Sequence, residues 1–104
     1  MRDRTLPLSR ELLAAEALCF LDTRSSTFAL QTGSAGKLTL QHENFPHLAL
    51  WSRPPAPFLC LESWTGHGDP ADFAGELRDK PSMRLLAPGE TAWHCAVYTH
   101  TPPA

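Results

Sequence analysis

Glu62 is the residue whose setting first points to chemistry. It closes the apolar run Phe58-Leu59-Cys60-Leu61 and is followed by Ser63 and Trp64. In a strand it shares a face with Cys60 and Phe58. A carboxylate on an apolar face is costly unless it is paired or has a task. Burial disfavours the charged form of a carboxyl and moves it toward the neutral range that suits a general base. The plainer reading places Glu62 at a wet strand end.

The tryptophans Trp51, Trp64 and Trp93 come next. The flat C–H faces of a sugar pack on aromatic rings while its hydroxyls seek polar groups. Trp64 stands two residues from Glu62 and can wall a site beside a base. Trp51 and Trp93 read as packing residues, the usual fate of a large, mostly buried side chain. Among the histidines, His67 follows Gly66 close to Glu62, and a His/Glu pair can serve as acid and base. Its plainer reading is an exposed loop residue. His42, His47, His94 and His100 show no zinc spacing with one another or with the cysteines, so no metal is expected. Neither a phosphate-cradling glycine loop nor a nucleophile elbow is present.

These residues need short strands to hold them. Ten prolines and six glycines cut the 104 residues into brief segments. One short helix is expected between Arg4 and Glu16, with Ser9 as its cap. Ala17–Leu21 is a compact apolar run. Thr27–Gln31 and Lys37–His42 alternate polar and apolar residues around Gly33-Ser34-Ala35-Gly36, the pattern of a hairpin. His47–Trp51 and Phe58–Trp64 are further strands, linked by Pro54-Pro55-Ala56-Pro57. A polar loop runs from Thr65 to Lys80. A final strand is expected over Thr91–Thr99, with Trp93, Cys95 and Val97 on one face. Some six short strands predict an all-β fold, an antiparallel sandwich, in a single domain over residues 1–104.

Composition narrows the function. The net charge of −2, with no basic block, speaks against nucleic acid. The apolar runs are too short to span a bilayer, and no apolar h-region follows the N-terminus. Cys19, Cys60 and Cys95 are dispersed in apolar runs and read as buried, unpaired side chains. A cytoplasmic setting follows from these features.

Two segments then carry a resemblance. They are Phe45-Pro46-His47-Leu48-Ala49-Leu50-Trp51-Ser52 and Ala56-Pro57-Phe58-Leu59-Cys60-Leu61-Glu62-Ser63-Trp64-Thr65-Gly66, with the later turn Leu86-Ala87-Pro88-Gly89-Glu90. Together they resemble the aldose 1-epimerase (galactose mutarotase-like) family and its LacX-like branch, in its C-terminal part. The resemblance implies part of a large antiparallel β-sandwich and a cofactor-free interconversion of sugar anomers. A glutamate takes the anomeric proton, a histidine protonates the ring oxygen, and the opened ring recloses. The glutamate of the matching segment is Glu62. Trp64 and His67 stand beside it as candidate sugar contacts. Glu16 takes the place of a sugar-contacting aspartate, and Ser63 that of a proline. Family members are roughly three times longer, and their histidines lie ahead of the matching part. The expectation is a truncated epimerase, a fragment or relic that is inactive alone for want of those histidines and that self-associates or needs a partner supplying the N-terminal half. The alternatives are a non-catalytic sugar-binding module, and a small β interaction protein.

Overall fold

The computed structural model describes residues 5–104. The order is α1 (Arg10–Ala15), β1 (Leu18–Phe20), β2 (Thr27–Thr32), β3 (Gly36–Glu43), β4 (His47–Trp51), β5 (Cys60–Trp64), a 3-10 turn at Leu77–Asp79, and β6 (Cys95–Thr101). The strands form two antiparallel three-stranded sheets, β1-β4-β5 and β2-β3-β6. The all-β, antiparallel expectation thus holds. No helix among the described residues is long and apolar enough to cross a membrane.

Local chemistry explains the boundaries. Ser9 caps α1, its Oγ accepting the Leu12 N–H at 3.1 Å. The helix is one and a half turns long, the one or two turns expected within the Arg4–Glu16 window, and Arg4 lies outside the described residues. The hairpin forms as its alternation predicts, with Thr32 opposite Gly36. Gly36 has φ +87, and a Cβ there would lie 2.2 Å from the Thr101 carbonyl oxygen, so only glycine fits where the hairpin meets the end of β6.

Two expectations need correction. The last strand begins at Cys95, four residues beyond Thr91. Asn44 explains the delay: its side-chain amide donates to the Trp93 carbonyl at 2.7 Å, taking an oxygen that a ladder would use. Trp93 therefore stands outside the strand, 81 % exposed. The cysteines also differ from their expected burial. Cys19 and Cys95 are exposed and Cys60 is half-buried. Cys19 belongs to a three-residue outer strand and Cys95 opens an outer strand, so neither has a neighbour on both sides to cover it.

Strand alternation gives each sheet two faces. In the first sheet, Leu48 and Leu50 of β4 stand opposite Ser63 and Leu61 of β5. This face looks toward the second sheet, because His42 of β3 meets Ser63 at 2.8 Å (Nδ1 to Oγ). Leu40, Leu48, Ala49 and Leu50 are the buried apolar residues among those described. The opposite face of the first sheet carries His47, Ala49 and Trp51 from β4 and Cys60, Glu62 and Trp64 from β5.

Surface is plentiful. The accessible area is 7987 Å², against about 5,800 Å² for a compact monomer of this mass. The radius of gyration is 16.0 Å, against about 13 Å for a compact domain of this length. Strand β6 is exposed along its whole length.

Candidate functional site

The outward face of the first sheet brings the chemistry together. Antiparallel pairing sets Glu62 opposite Ala49, Trp51 opposite Cys60, and His47 opposite Trp64. Trp51 is thus the diagonal neighbour of Glu62, a distance that an aromatic side chain spans. Trp64 is its same-face neighbour two residues along β5. Ala49, opposite Glu62, is 0 % exposed, so its small methyl group lies covered beneath the larger side chains of this face.

Both indoles turn toward the carboxylate. Trp64 Nε1 donates to Glu62 Oε1 at 2.9 Å, and Trp51 Nε1 donates to Glu62 Oε2. Each oxygen keeps one further lone pair for a ligand. Hydrogen bonds to a carboxylate contribute about 1.5–3 kcal/mol each, so two donors hold this group firmly. Trp51 also packs edge-on against Phe58, ring centroids 5.4 Å apart, which steadies the indole. The expectation that Trp51 merely packs needs correction. The register of β4 against β5 would have found its second task.

Two hollows flank the clamp. One, of about 360 Å³, is lined by Glu16, Trp51 and Arg53 among others. The second, of about 530 Å³, is lined by Phe45, Ser63, Trp64, Gly66 and His67 among others. Glu62 lines neither hollow but receives one tryptophan from each.

The four residues singled out in the sequence therefore fare differently. Glu62 and Trp64 are in direct contact. Glu16 follows α1 and is exposed at the Trp51 hollow, reaching Glu62 only through that indole. His67 stacks edge-on against His47 at 5.2 Å, and its Nδ1 meets the Gly68 carbonyl at 2.8 Å. The structure brings it to Trp64 and His47, without a hydrogen bond to Glu62.

Tyr98 is a neighbour that the sequence did not single out. Its hydroxyl donates to the Leu61 carbonyl at 2.6 Å, crossing from β6 to the outer edge of β5. Although Tyr98 is half exposed, partial desolvation where its ring leans on β5 raises its pKa above the ordinary 10.0, and the negative charge of Glu62 raises it further. No local pattern announces this contact, because it joins the outer strands of two different sheets.

His47 is 1 % exposed and is the most buried titratable group on this face. Burial holds its pKa below the ordinary 6.5. Its Nδ1 accepts the Asp22 backbone N–H at 3.0 Å. Its Nε2 lies 2.6 Å from Ser82 Oγ.

Comparison with known proteins adds a sequence likeness. The chain is 30% identical over 91 residues to Protein LacX of Lactococcus lactis subsp. lactis, in both its plasmid and chromosomal forms. The match covers 86% of this chain. The chain spans about 30% of the length of these curated relatives. No family model and no solved structure matches.

Proposed function

We propose that this chain is the base-bearing part of a sugar epimerase of the aldose 1-epimerase type, with Glu62 as general base on the anomeric hydroxyl. The observation that carries the reading is the clamp. A glutamate accepts one indole N–H on each oxygen and retains a lone pair on each for a hydroxyl donor. Two aromatic rings stand beside it as walls for the apolar face of a sugar. The likeness to LacX supports a role in carbohydrate metabolism.

The reaction would run as follows. Glu62 takes the proton of the anomeric hydroxyl, and the bond between C1 and the ring oxygen breaks. The ring oxygen receives a proton from a general acid, giving the open aldehyde. Rotation and the reverse steps close the ring on the other face. His67, beyond Trp64 on the same side of the sheet, is a local candidate for the acid, and a second polypeptide supplying the N-terminal half is the other source. The exposed β6 and the surplus surface would accommodate such a partner, or a second copy of this chain.

A second reading has its own support. Among the described residues, no second proton-transfer side chain is hydrogen-bonded to Glu62. That arrangement suits a module that binds sugar without converting it.

Polarimetry on freshly dissolved α-glucose and α-galactose separates the two. The epimerase reading expects acceleration over the spontaneous rate, lost in Glu62→Gln by about 10²–10⁴-fold. It expects Trp51→Phe to retain part of the rate, because one donor remains. Saturable sugar binding that survives Glu62→Gln, with no acceleration by the folded chain either alone or together with a polypeptide supplying the N-terminal half, would leave the binding module as the function.

A further inference from the structure

His47 joins three separate segments. It accepts from the Asp22 N–H, so in the neutral ring the proton sits on Nε2. That Nε2–H donates to Ser82 Oγ at 2.6 Å, and the Ser82 hydroxyl donates onward to the Thr65 carbonyl at 2.9 Å. The relay has one direction, from Asp22 through His47 and Ser82 to Thr65. It ties both ends of the loop between residues 65 and 82 to β4. That loop carries Gly66 and His67, which line the hollow beside Trp64.

Both partners of His47 sit on unusual backbone. Asp22 has φ 54 and Ser82 has φ 67, two of the three non-glycine residues with positive φ among those described. Such conformations are strained and persist where surrounding contacts hold them. Here the contacts converge on one imidazole.

We propose that His47 is a proton-controlled latch on this loop: neutral, it holds residues 65 and 82 against the first sheet, and protonated, it releases them. A second proton must go on Nδ1, where it faces the Asp22 N–H, donor against donor. The charged groups around the ring divide in sign. The Asp22 carboxylate and the Pro46 carbonyl favour the cation, while His67 and Arg84 oppose it. Burial, the largest influence, also opposes it. Protonation thus comes below the ordinary histidine range and breaks the Asp22 bond when it does. The two strained residues then relax, and the wall beside Trp64 moves away. The consequence for sugar rests on the reading of Glu62 above, whereas the release of the loop does not.

Hydrogen–deuterium exchange on the intact chain tests this, at pH 7.5 and at about pH 5, corrected for intrinsic exchange rates. The wild type is expected to lose about tenfold in protection around residues 65–69 and 80–83 on acidification. His47→Gln, which can accept and donate but does not titrate, is expected to show no such loss. Ser82→Ala, which leaves the imidazole in place, is expected to exchange fast in this loop already at pH 7.5. It carries the test if His47→Gln does not fold. His42→Gln is expected to keep the wild-type response. Equal protection at both pH values, an undiminished response in His47→Gln, its loss in His42→Gln, or a wild-type loop in Ser82→Ala would each overturn the latch. Sugar conversion is not read, so a failure here leaves Glu62 untouched, and an inert Glu62 leaves the latch standing.

Discussion

At the scale of single residues, the histidines set the response of this fold to acid. His42 and His47 are both buried, and burial lowers both pKa values from the ordinary 6.5. The unfolded chain therefore binds protons first as pH falls. The stability they permit is complete above about pH 6.5 and declines below it, toward the lower folded values. Urea midpoints measured between about pH 7.5 and 5 should fall, and His42→Gln should flatten part of that slope. A midpoint constant over this window would contradict the burial of both rings. The candidate site was only partly legible at this scale. Glu62 is legible as a carboxylate closing an apolar run and Trp64 by its place two residues along the same strand, and the structure joins them. Trp51 escaped because its partner lies across a strand pair. The Ser63 hydroxyl meets His42 between the sheets, a contact that joins positions 21 residues apart.

At the scale of elements, the most legible parts were those set by local pattern. The Thr27–Gln31 and Lys37–His42 alternation marked the hairpin, and Ser9 marked the helix start. What local pattern did not reach was pairing between distant segments. The start of β6 depends on Asn44, which lies 49 residues before Trp93. Gly36 is the clearest element-scale test. Gly36→Ala would force a Cβ against the Thr101 oxygen and Pro102, in a backbone conformation that alanine resists. The expected cost is about 1–3 kcal/mol, read as a lower urea midpoint, with faster amide exchange at the β3–β6 end. A loss below about 0.5 kcal/mol, the scale of an ordinary surface substitution, would mean that the end of β6 moves aside freely.

At the scale of the whole molecule, surplus surface dominates. The area beyond that of a compact monomer is about 2,000 Å², more than the ~800 Å² that one partner contributes to a standard specific interface. The outer strands β5 and β6 and the exposed Trp93, Val97 and Tyr98 contribute to it. We expect the purified chain to associate with itself as concentration rises. We also expect co-expression with a polypeptide matching the remainder of a LacX-length protein to replace that association with a defined complex. Sedimentation velocity checks both. A monomer that stays monodisperse across concentration and unfolds in one sharp transition would count against either form of partnership. Strands without neighbours are open to pairing with other chains. Tyr98 partly guards one of them by occupying the Leu61 carbonyl.

The indole clamp has one more consequence. All three of its members lie between positions 51 and 64, on two consecutive strands that pair with each other. The device is therefore portable. Its geometry is inherited with one contiguous stretch of chain, whatever scaffold surrounds it. A peptide of this hairpin grafted onto an unrelated antiparallel sheet would carry its carboxylate already oriented, and recombination could move the whole clamp in a single step.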